Sequence, residues 1–328
     1  MERRLGYLDF NPLQDKMRIK ERSQSKNNGQ LFCFAIDGLK RDYYFKECSY
    51  EDAITELIAC EMYAKVKIPY VNYDLVCING KYGVISRSFK REGYRYTSGR
   101  QIIDDYVDSL ASDLIRYKGT SFEGIIDEEY KRYADSLNSK HTSNNFEFIA
   151  HAIEHHVKGR PDEIISRYRI LNRLAVYHMA DIILLNQDRN KSNWVVEESE
   201  NEIGLVPTFD SADAFKDKKW MALRVQPIDK DLHPTDTYIE FGEFMRRSDN
   251  RYYNRFLVML RILTPDTLDE CIGNVEEKIG CKIDEKLKEK IKQVYKIHYS
   301  KLKAIVRFKN IISSRANEET KNMSVDEK

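Results

Sequence analysis

The sequence predicts an α+β chain in which a small β-rich lobe precedes a larger helical one. Three observations predict it. Between residues 31 and 90, alternating and β-branched runs are punctuated by Asp37-Gly38 and Asn79-Gly80, dipeptides that close tight hairpins. From about residue 100 the apolar spacing changes to the three-and-four rhythm of helices. The length, 328 residues, is enough to bury a large core in one big domain or two lobes.

The elements follow in order. "LFCFAI" and "DYYFKE" around Asp37-Gly38 read as a hairpin with Lys46 near the end of its second strand. "SYEDAITELIACEMYAKV" has apolar residues at 54, 57, 58, 62 and 66, with Ser49 available as N-cap, and reads as a helix. After Pro69, "YDLVCI" and "KYGVIS" form a second hairpin about Asn79-Gly80, so the first lobe should hold about five strands around one helix. "QIIDDYVDSLASDLIRY" is helical by its apolar residues at 102, 103, 106, 107, 110, 114 and 115. "PDEIISRYRILNRLAVYHMADIILLN" opens on Pro161, a first-turn residue, and continues as a long helix. "WVV" and "GLVPTFD" read as short strands around an acidic turn. "EFGEFMRRSDNRYYNRFLVMLRIL" and "DEKLKEKIKQVYKIHYSKLKAIVRFKNII" return to helix. The expected divisions are residues 1–90, residues 91–314 and a flexible tail, 315–328, with little to bury.

Composition excludes some classes. Charged residues make up 33% of the chain but the net charge is only +1, so a broad electrostatic grip on nucleic acid or an anionic membrane is not expected. The six cysteines contain no C-x-x-C pair, which suits reduced thiols. "MERRLGYLDF" lacks the apolar stretch of a signal peptide, and no window approaches eighteen apolar residues. The expectation is a soluble cytoplasmic protein.

The chemistry centres on "LLNQDRNKSNWVV", where Asp188 and Asn193 stand five apart in a polar turn between an apolar run and a β-branched one. Taken alone, D-x-x-x-x-N is ordinary turn chemistry. Transfer of a γ-phosphoryl group, however, needs a carboxylate near the acceptor hydroxyl, ligands for magnesium and a cation on the remaining phosphates. Asp210 in "VPTFD" follows Asp188 by 22 residues across the expected strand pair. Lys46 ends a strand and Glu56 lies ten residues later on the next helix, as a phosphate-binding lysine and its helix partner would. Glu61 is a rival for Glu56. Arg189 and Lys191 either neutralise transferred phosphate or solvate the loop.

Together "YYFKE", "TELIACEMYAKVKIPYVNYDLV", "LLNQDRNKSNWVV" and "LVPTFDSADAF" resemble the HipA-like serine/threonine kinases, including small translocated kinases of pathogenic bacteria, over roughly residues 30 to 300. The resemblance implies a bilobal protein-kinase-like fold using ATP and Mg2+. Asp188 would be the catalytic base, and Asn193 and Asp210 the magnesium ligands. Lys46 would contact the α- and β-phosphates with Glu56 holding it. Adenine is expected between the lobes, its edge read by the backbone at Arg87, Ser88 and Phe89, with Lys191 also on the nucleotide. The implied partner is a protein with a Ser/Thr acceptor. Autophosphorylation at Ser23 or Ser25 would expel the phosphate-binding loop.

The chain departs from the family pattern at several places. Asn190 stands where many relatives have His, and Ser211 follows Asp210 where eukaryotic protein kinases have Gly. "ERSQSKNNGQLFCF" has one glycine, Gly29, where a G-x-G-x-x-G loop would offer three. About thirty residues precede the first hairpin, too few for the additional N-terminal domain of the toxin kinases. Other functions share parts of these patterns. Phosphoinositide kinases use a D-R-H-x-x-N loop, and a pseudokinase would hold nucleotide or a partner without transferring phosphate. "HAIEHH" gives His151, Glu154 and His155, the H-x-x-E-H of an inverted zinc peptidase.

Overall fold

A computed structural model describes residues 8–9, 18–22, 30–36, 39–78, 81–118, 146–186, 189–216 and 250–323. The N-terminal part is a six-stranded sheet in the order β1-β5-β6-β4-β3-β2. Its members are β1 (Leu8–Asp9), β2 (Arg18–Arg22), β3 (Gln30–Ile36), β4 (Leu39–Glu47), β5 (Tyr73–Ile78) and β6 (Lys81–Arg87). Both expected hairpins are present, β3 with β4 and β5 with β6, and β4 pairs β6 so that Lys46 lies opposite Val84. The unforeseen strands are at the sheet's margins. β1 pairs in parallel with the distant β5, and β2, "RIKER", has no apolar alternation to announce it.

Between β4 and β5 lies helix α1 (Tyr50–Lys65). Ser49 caps it, its hydroxyl accepting from the Asp52 N–H at 3.0 Å, and Glu51 and Asp52 complement the N-terminal end of the helix dipole. Ala53, Ile54, Leu57, Ile58, Ala59, Met62 and Tyr63 are all buried, so α1 is enclosed on most of its circumference. The enclosure comes partly from the other end of the chain. Helix α6 (Pro265–Ile279) packs along α1, with Cys271, Val275 and Ile279 in the same core. Ion pairs tie the edges, Lys65 to Glu270 and, from helix α7 (Glu285–Met323), Lys290 to Glu51 at 2.7 Å. Lys278 reaches the Asn72 side chain and the Tyr73 carbonyl just beyond α1, at 2.8 and 2.6 Å.

The C-terminal part is helical. Strand β7 (Arg95–Ser98) leads into α2 (Gly99–Lys118), followed by α3 (Phe146–Val157), α4 (Glu163–Leu184) and α5 (Asn250–Ile262). The strands expected from "WVV" and "GLVPTFD" are β8 (Val195–Glu198) and β9 (Ile203–Leu205), and β7 joins them in a three-stranded antiparallel sheet. Helix α7 continues past the limit expected at 314 and runs to Met323. Among the described residues no helix is long and apolar enough to cross a membrane, and Cys48, Cys60, Cys77, Cys271 and Cys281 are free thiols.

Candidate active site

Lys46 is 7% exposed and lies between two carboxylates from distant parts of the chain. Its Nζ is 3.8 Å from Glu56 Oε2 on α1 and is hydrogen-bonded to Asp210 Oδ1. Burial works against the ammonium charge, but Glu56 and Asp210 outweigh it and raise the Lys46 pKa well above the ordinary lysine range. Burial pushes the Glu56 carboxyl up, to about 7, against the pull of Lys46. Glu61, the rival on α1, instead accepts from Asn274 on α6 at 3.4 Å. Gly83 lets β6 approach: a Cβ there would lie 2.4 Å from the Lys46 carbonyl oxygen and 2.4 Å from the Phe45 ring.

The loop after α4 begins with strained backbone. Leu185 is left-handed at φ 59°, which turns the chain so that the Asn186 N–H donates to the Asp181 carbonyl at 2.9 Å. Asp188 lies outside the described residues, as do Ser23, Ser25 and Gly29. Arg189 neither faces solvent nor lines an open surface; it is buried. Its Nε and Nη2 donate to the two carboxylate oxygens of Asp181 at 2.8 and 3.1 Å, while Nη1 donates to the carbonyls of Asn193 and Phe209, both at 2.9 Å. Asn190 shapes the turn, its Oδ1 accepting from the Ser192 N–H at 2.8 Å. Lys191 pairs with Asp104 of α2 at 2.9 Å, and Arg100 of α2 donates to Ser192 Oγ at 3.0 and 3.1 Å.

Asn193 is buried and continues into Trp194, whose carbonyl accepts from the Gly99 N–H at 2.9 Å. The start of α2 therefore rests directly on this loop. A Cβ on Gly99 would lie 2.1 Å from the buried Trp194 ring. Gly99→Ala is expected to destabilise the protein by about 1–3 kcal/mol, the usual cost of overpacking. Denaturant unfolding should show a lower midpoint at unchanged m-value, and a wild-type midpoint would refute the close contact.

Asp210 is placed by backbone pairing. The Thr208 N–H donates to the Pro69 carbonyl and the Val71 N–H to the Thr208 carbonyl, both at 2.9 Å, joining this segment to the α1–β5 connection. Asp210 itself is left-handed at φ 59°, a conformation that Asp tolerates better than most side chains. Glu56 Oε1 accepts from the Ser211 N–H at 2.7 Å, so Glu56 holds both Lys46 and the backbone after Asp210. Tyr63, two helical turns along α1, is hydrogen-bonded to Ser211 Oγ at 2.9 Å and donates to Asp181 Oδ1 at 3.2 Å. Ser211, where a Gly was the alternative, thus links α1 and this segment through both its backbone and its side chain.

Arg87 ends β6, and the Ser88 hydroxyl accepts from the Lys90 N–H at 3.2 Å. Half-buried Phe89 stacks on Phe209, the residue before Asp210, with ring centroids 6.0 Å apart. The structure thus brings Lys46, Glu56 and Asp210 together, joins Asn193 to them through Arg189, and sets Phe89 beside Asp210. Lys191 is engaged instead with α2. Sequence reasoning missed Asp181 and Tyr63; the available signal was one carboxylate inside the apolar run "HMADIILL".

The H-x-x-E-H residues have other contacts. His151 Nδ1 is 3.7 Å from Glu154, which also pairs with Arg167 at 3.2 Å, and the His155 ring packs on Tyr106. Among the described residues no group of three or more His, Cys, Asp or Glu side chains could hold a metal ion.

No protein-family model matches the sequence, and no curated protein matches it. Solved structures do. The crystal structure of the Helicobacter pylori proinflammatory kinase CtkA superposes with a TM-score of 0.60 at 14% identity, over 94% of this chain and 99% of that one. HipA from the Shewanella oneidensis MR-1 HipA–HipB–operator DNA complex superposes with a TM-score of 0.52 at 12% identity, over 89% of this chain and 67% of that one. Both likenesses are of fold: the sheet, helices and loops described above make up an α+β, kinase-like fold shared with these neighbours.

Proposed function

We propose that the protein is an ATP- and magnesium-dependent kinase that phosphorylates Ser or Thr of a protein substrate and can phosphorylate itself. The observation that carries this reading is Lys46 held between Glu56 and Asp210, with Glu56 also fixing the backbone after Asp210. A cation and carboxylates in this order along the chain suit a nucleotide triphosphate with its metal.

In this reading Lys46 binds the α- and β-phosphates, and Glu56 keeps its ammonium from turning away. Asn193 and Asp210 would hold magnesium, which when bound would supply positive charge against the phosphates. Asp188 accepts the proton of the attacking hydroxyl. The backbone at Arg87, Ser88 and Phe89 reads the adenine edge, and Phe89 on Phe209 gives it an apolar floor. Ser23 or Ser25 is the acceptor for self-phosphorylation. A phosphoserine there would carry about −1.5 to −2 charge at neutral pH and be repelled by bound nucleotide.

Few protein ligands serve the metal, so ATP and magnesium should bind together. ATP at about a hundred times its Kd is expected to stabilise the protein by about 2.7 kcal/mol with magnesium, and by much less without it. Asp210→Ala should abolish the difference, read as the shift in melting temperature. A full magnesium-dependent shift in the variant would remove Asp210 as ligand. Labelled ATP incubated with the protein, alone and with a cell lysate, then separates transfer from binding without transfer.

A further inference from the structure

Beneath the candidate site lies a buried charge pair to which the phosphotransfer reading assigns no part. Asp181 is fully buried near the end of α4. Its carboxylate accepts the fork of Arg189 Nε and Nη2 at 2.8 and 3.1 Å, and also accepts from Asn186 Nδ2 at 2.8 Å and the Tyr63 hydroxyl at 3.2 Å. Burial opposes the guanidinium charge, but Asp181 offsets this and keeps Arg189 protonated. A pair this well supplied with hydrogen bonds forms a rigid base.

The other end of the guanidinium is what points beyond packing. Nη1 donates to two carbonyls at once, those of Asn193 and Phe209, both at 2.9 Å. Asn193 is one proposed magnesium ligand, and Phe209 immediately precedes the other. The two segments arrive from different sides, one following α4 and one following β9, and a single planar group spans them. The fork is stiff and its three nitrogens have fixed directions, so the separation of the two carbonyls is fixed with it.

We propose that Arg189, anchored by Asp181, is a positioning residue that sets the spacing of Asn193 and Asp210 for a divalent cation. The proposal rests on the phosphotransfer reading of those two ligands. Arg189 touches neither metal nor nucleotide; it acts through the backbone of the ligands. Groups that orient metal ligands from behind typically change metal affinity about 10- to 100-fold when removed. A lysine at 189 would keep the charge that Asp181 requires but could not make the fork and both carbonyl bonds with one nitrogen.

The test uses the full chain and magnesium itself. At fixed ATP, the magnesium concentration giving half of the ATP-induced shift in melting temperature is measured for wild type, Arg189→Lys and Asp181→Asn. Leu174→Ala, in the same helix and equally buried, is the control for lost stability. The proposal expects the half-shift concentration to rise about 10- to 100-fold in Arg189→Lys, or in Asp181→Asn should the first variant not fold. It expects no change in Leu174→Ala, whatever its melting temperature. A wild-type value in a folded Arg189→Lys or Asp181→Asn variant overturns the proposal, as does an equal rise in Leu174→Ala. Absence of any magnesium-dependent shift in the wild type overturns the phosphotransfer reading and this proposal with it. That pattern differs from one in which the wild type responds and the variants match it.

Discussion

Asp188→Asn is expected to lower phosphoryl transfer by about 10²- to 10⁴-fold while ATP still binds with magnesium. The amide has nearly the shape of the carboxylate but cannot accept the acceptor's proton. Its neighbours make the comparison clean. Asn186 and Arg189, on either side of Asp188, are both hydrogen-bonded to the buried Asp181, so an isosteric change between them leaves the loop anchored. Binding should persist because the proposed reading gives Asp188 to the acceptor hydroxyl and Lys46 and Asp210 to the nucleotide and its metal. Single-turnover assays with labelled ATP give the rate. Mass spectrometry gives the companion result: phosphate on Ser23 or Ser25 in the wild type and none in the variant. Wild-type turnover in Asp188→Asn would return "NQDRNKSN" to an ordinary turn. Phosphate confined to other segments would discard only the self-phosphorylation of that loop.

Lys46→Met should have the second large effect, on stability as well as function. The substitution removes the cation from between Glu56 and Asp210 and leaves Glu56, 1% exposed, without its ion-pair partner. Breaking a buried pair in this way costs about 3–5 kcal/mol. The loss should depend on pH. Burial already holds the Glu56 carboxyl up, at about 7 against an ordinary 4.5, and removing Lys46 takes away a pull in the opposite direction. As pH rises past about 4.5 the unfolded chain releases this proton while the folded variant keeps it, so folding weakens as pH increases. The gap in melting temperature between wild type and Lys46→Met should therefore be small near pH 5 and widest above pH 7. A gap that stays constant across that range would show that Glu56 is not the group left stranded. Nucleotide binding should weaken at every pH, since Lys46 is the cation that the proposed reading places on the α- and β-phosphates.

The sequence displayed some of this site and concealed the rest, for physical reasons. Lys46 was visible because a hairpin with a two-residue turn fixes where its second strand ends. Asp210 was visible because two short strands separate it from the Asp188 loop. The choice between Glu56 and Glu61 was not open to periodicity, because α1 is enclosed on most sides and no polar face exists to orient it. Tertiary position decided it, with α6 offering Asn274 to Glu61 and β4 offering Lys46 to Glu56. Arg189 was concealed because a charged residue in a polar turn reads as solvated. Its burial depends on a carboxylate eight residues earlier, on a different element. β1 could not be read from two residues whose hydrogen-bonding partners lie near Val76.

The fastening of α1 to α6 and α7 has a mechanical consequence. A helix that carries the partner of the phosphate-binding lysine can serve as a clutch, disengaging the site when it rotates outward. Here such a stroke would break the Lys290–Glu51 and Lys65–Glu270 pairs, strip Tyr63 from Asp181 and pull apolar side chains off α6 in one movement. Surface ion pairs are individually weak, but the apolar contacts and the buried tyrosine are not. The clutch is in effect welded to the larger lobe. On the proposed reading, withdrawing Glu56 from Lys46 costs all of these contacts together.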